Sequence, residues 1–66
     1  MGVNHLEELR AFLKKNKTKK FSRTNLRNEL KQNYNTIIQN IQYLINVEKV
    51  VVGTSDENDK TFYQWK

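Results

Sequence analysis

The first apolar pattern along the chain has the spacing of an amphipathic helix. Its apolar positions are Leu6, Leu9, Phe12 and Leu13. Asn4 precedes them as a suitable N-cap, and the carboxylate of Glu7 three residues later completes the sequence signature of a helix start. Acidic residues in the first turn and basic residues in the last complement the helix dipole. The pattern therefore predicts a helix over residues 5–16.

A basic loop separates this helix from a shorter second one. Residues 16–20 carry three lysines and no apolar side chain, which is typical of an exposed loop. Phe21 follows as a single apolar residue, and we expect it to be a buried anchor or a one-residue strand. Ser22 is the next suitable N-cap, and two leucines one helical turn apart come after it. This arrangement predicts a short helix over residues 23–31.

The third helical pattern follows a turn at Lys31 and Gln32. Asn33 is its candidate N-cap, and the periodicity then runs from Tyr34 to about Val47. The apolar side of this predicted helix comprises Ile37, Ile38, Ile41, Leu44 and Ile45, together with Tyr34. The opposite side is polar yet holds no charged residue, and it consists of Asn35, Thr36, Gln39, Gln42, Tyr43 and Asn46.

Two stretches with strand propensity follow the third helix. Val50 to Val52 is a β-branched run, and Thr61 to Trp65 combines aromatic residues with a threonine. Residues 53–60 between them are polar and predict a loop. The two stretches together predict a β-hairpin with a long connection.

Three helices followed by a hairpin, within 66 residues, resemble a winged helix-turn-helix domain. The resemblance covers nearly the whole chain. Its most specific part is a spacing shared with many bacterial and archaeal winged-helix regulators, Leu26-x3-Leu30-x6-Ile37-x3-Ile41-x2-Leu44. The six residues between Leu30 and Ile37 allow two helices that cross steeply. The resemblance implies one α+β domain over residues 1–66, a three-helix helix-turn-helix core followed by a β-hairpin wing.

The resemblance also implies which residues meet nucleic acid. Asn33 matches the cap of the recognition helix. Ser22 and Arg23 match the start of the preceding helix, whose free backbone N–H groups often meet a phosphate in this family. The positions that match the groove-facing side of the recognition helix are Tyr34, Asn35, Thr36, Gln39, Asn40 and Tyr43.

Two features depart from the family's pattern. Residues 55–60 at the hairpin tip carry three acids and one base, whereas DNA-binding wings usually carry Arg or Lys. We therefore expect this tip to point away from nucleic acid. Gln32 occupies a position in the turn where an apolar residue is usual.

The formal net charge of +5 is concentrated in the first half of the chain. Residues 1–32 hold nine basic and three acidic residues, whereas residues 33–66 hold three basic and four acidic ones. A basic surface of this kind favours a polyanion as the partner. The candidates for phosphate contact are Lys17, Lys19, Lys20, Arg23, Arg27 and Lys31.

The polar side of the third helix suggests two kinds of base recognition. Asn and Gln bond adenine in bidentate fashion, and the absence of Arg removes the strongest guanine reader, so any preference should lean towards A·T-rich duplex. Alternatively, aromatic side chains stack on unpaired bases, and the candidates are Tyr34, Tyr43, Tyr63 and Trp65. Among the aromatic residues, we expect Tyr34 and Trp65 to pack in the core and Tyr43 to be exposed.

The composition argues against an enzyme and against a cofactor. The chain has no Cys, and His5 is its single His, so neither a thiolate metal site nor a His-based nucleophile pair is available. The acidic tip lacks the pattern of a calcium-binding loop. Met1 to Asn4 lead into polar sequence without a signal-peptide core, and no apolar run reaches the ~20 residues of a membrane span. We expect an intracellular, cytoplasmic protein, associated with the nucleoid if bacterial, and no membrane partner.

These observations favour a small DNA-binding transcriptional regulator that acts as a homodimer on duplex DNA. A first alternative keeps the fold and changes the substrate: a single-stranded DNA-binding or replication accessory protein of a mobile element, working as the small partner of a polymerase or helicase. A second alternative is a winged helix that binds only proteins. Salt-dependent binding to nucleic acid separates the first two from the third.

Overall fold

The computed structural model describes residues 4–66 and shows an α+β fold of three helices followed by an antiparallel hairpin. Residues 1–3, which the sequence analysis assigned to the same domain, lie outside the described residues. The element order and the α+β class are those predicted. The elements are α1 His5–Lys15, α2 Arg23–Leu30, α3 Tyr34–Tyr43 with a π-helical continuation Leu44–Glu48, β1 Val51–Ser55 and β2 Thr61–Trp65.

Each helix begins at the N-cap that the sequence predicts. The three caps are Asn4, Ser22 and Asn33, and each side-chain oxygen accepts a backbone N–H of the first turn. At α2 the capping is reciprocal and forms a capping box, because Asn25 Oδ1 also accepts from the N–H of Ser22 at 3.3 Å. At α1 it is not, because the carboxylate of Glu7 pairs with Arg10 at 3.2 Å instead. Local sequence therefore determines where all three helices start.

Helix α3 ends in a wider, π-helical turn that reaches Glu48, one residue beyond the predicted end. Lys49 terminates it in a left-handed conformation, with φ of 56°. The backbone N–H of Val50 donates to the carbonyl of Leu44 at 3.1 Å. This closure keeps Leu44 fully buried and directs the chain into β1.

The turn between α2 and α3 holds a buried glutamine. Lys31 caps α2 in a left-handed conformation, and Gln32 after it is only 5% exposed. The Nε2 of Gln32 donates to the carbonyl of His5 at 3.3 Å and to Oε1 of Glu8 at 3.0 Å. Its Oε1 accepts no hydrogen bond within residues 4–66. Gln32 thus fills the place of an apolar turn residue by bonding to the start of α1.

The hairpin has a shorter connection than the sequence predicts. Residues 53–55 belong to β1, in register with Tyr63, Phe62 and Thr61, so the turn spans 56–60 and the predicted loop over 53–60 is wrong. Asp56 closes this turn, because its Oδ1 accepts the N–H groups of Asn58 and Lys60, each at 2.9 Å. Cross-strand pairing therefore overrides the polar character of Thr54 and Ser55.

Phe21 forms a one-residue strand against β2, one of the two roles predicted for it. The N–H of Phe21 donates to the carbonyl of Tyr63 at 2.9 Å, and the N–H of Tyr63 donates back at 2.8 Å. The ring of Phe21 also packs against Phe12 of α1, with 4.9 Å between the ring centroids. Strand β2 consequently lies between Phe21 and β1.

One apolar core joins the helices to the hairpin. Its buried members are Leu9, Leu13, Leu26, Ile37, Ile41, Leu44, Val51 and Tyr63. The predicted spacing supplies four of them from α2 and α3, while Leu30 is half-buried at the edge of the core. No helix within residues 4–66 is long and apolar enough to cross a membrane.

Candidate nucleic-acid interface

The polar side of α3 faces solvent, as its sequence predicts. Thr36 and Asn40 are half-buried at its margin. The exposed positions on this side are Asn35, Gln39, Gln42, Tyr43 and, in the π-helical turn, Asn46. None carries a charge, so this surface offers amide, hydroxyl and aromatic groups only.

Two amide side chains on this surface are available for hydrogen bonds to a ligand. Asn46 Nδ2 donates to Oε1 of Gln42 at 3.1 Å, so these two amides already bond to each other. By contrast, the side-chain amides of Asn35 and Gln39 make no hydrogen bond within residues 4–66. Residues four apart lie about 40° from each other around a helix, and both amides therefore project in nearly the same direction.

The two tyrosines of α3 are both exposed but lie on opposite sides of the helix. Tyr43 is 43% exposed on the polar side, as predicted. Tyr34 is 38% exposed, so the expectation that it packs in the core is wrong. Tyr34 has the angular position of a core residue, but it is the first residue of α3 and lies beside Ser22 and Arg23 at the start of α2. Because nine residues separate the tyrosines by about 180°, they do not form one stacking track.

Trp65 behaves as predicted and packs against the core from β2. Tyr63, the remaining aromatic residue considered for stacking on bases, is 3% exposed and cannot offer a ring face to a base. Among the tyrosines, only Tyr43 lies on the same side of α3 as the free amides. Stacking on the polar side is therefore limited to one ring.

Arg23 at the start of α2 is bound to the hairpin. Its Nε donates to the hydroxyl of Tyr63 at 2.9 Å, and its guanidinium carbon lies 5.9 Å from the centroid of that ring. The hydrogen bond to Tyr63, and after it the neighbouring hydroxyl of Tyr34, raise the pKa of Arg23 above its ordinary value. Arg23 is half-buried, so this arginine holds two elements together in addition to offering charge.

The start of α2, the start of α3 and the hairpin turn enclose a small cleft of about 190 Å³. Such a volume is below the roughly 300 to 1,000 Å³ of typical small-molecule pockets. The lining residues are Ser22, Arg23, Thr24, Tyr34, Asp59, Lys60 and Thr61. Asp59, Lys60 and Thr61 thus lie beside the predicted interface residues Ser22 and Arg23. That the acidic tip points away from nucleic acid stays a prediction.

Four residues of this cleft were missed by sequence reasoning. Thr24 looks like an ordinary first-turn residue. Asp59 and Lys60 belong to the tip that we expected to point away from nucleic acid, and Thr61 was predicted only as a strand residue. Only tertiary packing brings them beside Ser22 and Arg23. One feature of the sequence could have pointed to the cleft: Lys60 is the single basic residue among the acidic residues of the turn.

The predicted basic loop is exposed and anchored to the hairpin through its backbone. Lys17, Lys19 and Lys20 are exposed, and within residues 4–66 none has a carboxylate within salt-bridge distance. The Nε2 of Gln64 in β2 donates to the carbonyl of Lys17 at 3.0 Å. The backbone is therefore held while the three ammonium groups project into solvent.

The other predicted phosphate contacts lie at or near the end of α2. Arg27 is exposed, and among the described residues its guanidinium makes only a long, 3.5 Å contact with the side chain of Asn28. Lys31 is exposed, and its left-handed backbone forms the C-cap. Both cationic groups are accessible, although Lys31 also has this structural role.

Arg10 forms ion pairs with two glutamates, and both salt bridges found within residues 4–66 involve it. It forms a two-point ion pair with Glu48, with Nε to Oε1 at 3.0 Å, and a second pair with Glu7 at 3.2 Å. The hydrogen bond from Arg10 holds the pKa of Glu48 below its ordinary value. This contact ties α1 to the end of α3 and leaves Arg10 outside the candidate interface.

The described residues contain no cluster of three or more His, Cys, Asp or Glu side chains placed to hold a metal ion.

In comparisons with known proteins, the chain matches no family model, no curated protein and no solved structure.

Proposed function

We propose that this protein is a winged-helix DNA-binding protein in which α3 enters the major groove of A·T-rich duplex. The observation that carries the proposal is the pair of unengaged amides, Asn35 and Gln39, on an exposed and uncharged helix surface. The major groove is about 12 Å wide and admits one helix, and amide side chains pair with the N6 and N7 edge of adenine. Arg is absent from this surface, which disfavours guanine.

The exposed cations supply the affinity in this proposal. Lys17, Lys19 and Lys20 have no acidic partner among residues 4–66, so phosphates compete with water rather than with a carboxylate for their ammonium groups. Each phosphate neutralised on a duplex releases counterions and adds close to one unit of salt dependence. Arg27 and Lys31 contribute in the same way from the end of α2.

The cleft at the start of α2 makes a smaller contribution. We keep Ser22 and Arg23 in the proposed interface because winged helix-turn-helix domains, which this chain resembles, often bind a phosphate at the start of this helix. However, Arg23 is already bonded to Tyr63, and Asp59 in the same cleft repels an anion. We therefore assign the main electrostatic role to the lysine loop.

The physiological role we propose is that of a small transcriptional regulator acting as a homodimer. One observation favours a second function, single-stranded binding in the replication of a mobile element: Tyr43 is exposed on the same side of α3 as Gln39. A single stacked base is worth about 1 to 3 kcal/mol. Phosphate contacts contribute to both kinds of binding, whereas two amide pairs at about 1 to 3 kcal/mol each exceed one stacked base, so duplex binding is the function we place first.

The experiment that tests base recognition compares amides on the same helix. A preferred duplex is first selected from a random library, and binding is then measured for Asn35→Ala, Gln39→Ala and the control Gln42→Ala, whose amide bonds to Asn46. Each of the first two should lose about 1 to 3 kcal/mol on the preferred duplex and far less on a scrambled one, because the lost bonds are to bases. Equal losses on both duplexes would contradict readout by α3.

A further inference from the structure

Strand β1 forms an open edge of the sheet. The N–H of Lys66 donates to the carbonyl of Val50 and the N–H of Asp56 donates to that of Lys60, each at 2.9 Å. Since backbone groups alternate in direction along a strand, residues 50, 52, 54 and 56 face β2. Gly53 and Ser55 therefore direct their N–H and C=O groups outwards, and both residues are exposed. Within residues 4–66 no other strand pairs with this edge.

This edge lacks the features that keep exposed strands from pairing with other chains. Natural monomers protect such edges with charged residues, proline or bulges. The five residues of β1, Val51 to Ser55, include no charge and no proline, and their register with β2 is continuous over all five pairs. Val52 adds a β-branched side chain that is 39% exposed. The strand is thus suited to accept a further strand.

We propose that two copies of this chain pair through β1, antiparallel to each other, to form one four-stranded sheet. The charges at the two ends of the strand select this partner and this direction. Lys49 precedes β1, and Lys66 lies beside the same end, whereas the turn beyond the other end contains Asp56, Glu57 and Asp59. Antiparallel pairing places the basic end of each strand against the acidic turn of the other.

A parallel arrangement would bring like charges together at both ends, so the charges favour the antiparallel one. The antiparallel arrangement is two-fold symmetric, so each favourable contact occurs twice. It also gives the acidic turn a function, since the turn offsets part of the repulsion between two chains of net charge +5. This assembly does not depend on nucleic-acid binding, and it is tested without DNA.

Sedimentation equilibrium of the full chain from micromolar to near-millimolar concentration tests the interface. The average mass should rise from 7.9 kDa towards twice that value. Ser55→Pro removes an outward N–H and leaves the bonds between β1 and β2 in place, so it should stay monomeric with unchanged circular dichroism. A parent chain that stays monomeric throughout, or a folded Ser55→Pro variant that associates as tightly as the parent, overturns the proposal.

Reversing the charges at the two ends of β1 tests the direction of pairing without a proline substitution. Lys49→Glu and Glu57→Lys should each weaken self-association by roughly threefold to tenfold, because each creates two like-charge contacts in the symmetric pair. Glu57 is chosen because Asp56 closes the turn. The double variant should recover the parent's association. If it associates no more tightly than the single variants, the antiparallel pairing is wrong.

Discussion

Arg23 and Tyr63 join the start of helix α2 to the second hairpin strand across 40 positions of sequence. Arg23 donates its Nε hydrogen to a hydroxyl whose ring belongs to the core, and Tyr63 in turn pairs with Phe21 through its backbone. A single residue of β2 therefore contacts the loop, the second helix and the core. The hairpin is accordingly part of the folded unit rather than an appended arm.

The first prediction concerns this bond. Tyr63→Phe keeps the buried ring and removes only the acceptor for Arg23, so it should lower the free energy of unfolding by about 1 kcal/mol. Thermal and urea unfolding measure the change. Tyr43→Phe is the matched control, because it removes an exposed hydroxyl from another tyrosine. Equal melting temperatures for the two variants would mean that the contact with Arg23 does not stabilise the fold.

The second prediction separates the lysine loop from other surface cations. Lys19→Gln with Lys20→Gln should lower affinity for all duplex sequences alike and reduce the slope of log K against log salt by up to about 2 units. The control pair Lys14→Gln and Lys15→Gln removes the same charge from the last turn of α1. It should change the slope by much less. Identical slopes for the two double variants would exclude a specific role for the loop.

The third prediction concerns the core position Ile41, which is 1% exposed. Ile41→Ala should lower the free energy of unfolding by about 2 to 5 kcal/mol, because it removes buried methyl groups and leaves a cavity. A domain this small has little stability to lose, so much of the variant should be unfolded. Gln42→Ala on the exposed side should change stability by only about 0.5 kcal/mol. A larger loss at Gln42 than at Ile41 would contradict the orientation of α3.

The fourth prediction tests the buried amide. Gln32→Glu removes two donated hydrogen bonds and places a carboxylate beside Glu8, and burial and like charge should raise the pKa of the introduced group. We expect a loss of about 2 to 4 kcal/mol at neutral pH.

The pH dependence of that loss tests whether the introduced carboxyl group is buried beside Glu8. A raised pKa makes the penalty complete above the folded-state pKa and removes it below the unfolded value of about 4.3, so stability relative to the parent should recover as the pH falls. Gln32→Met has a similar length without a titratable group and should show no such recovery. Parallel pH profiles for the two variants would contradict a buried contact with Glu8.

The sequence predicts the helices better than the hairpin because helix signals are local. Asn4, Ser22 and Asn33 form caps with backbone groups two or three residues away, and those bonds need no tertiary structure. The end of β1 depends instead on pairing with β2. Thr54 and Ser55, which are polar enough to suggest a loop, become strand residues because Phe62 and Thr61 lie opposite them.

The candidate interface shows the same contrast between local signals, which the sequence reveals, and tertiary contacts, which it does not. Periodicity alone places Asn35 and Gln39 on the exposed side of α3. It misplaces Tyr34, because its angle around the helix says nothing about where the core ends along the axis. The cleft was not predictable, since it joins segments as far apart as Ser22 and Lys60.

The most direct test of the central proposal is a fluorescence anisotropy titration with a duplex and its two separate strands, at two salt concentrations. If α3 enters the major groove and the lysines contact phosphates, the duplex should bind more tightly than either strand at both salt concentrations, and its affinity should fall steeply as salt rises. Tighter binding of a single strand at both concentrations would contradict the proposal and favour stacking on Tyr43. Binding to neither would leave the protein as an interaction module and refute the nucleic-acid account.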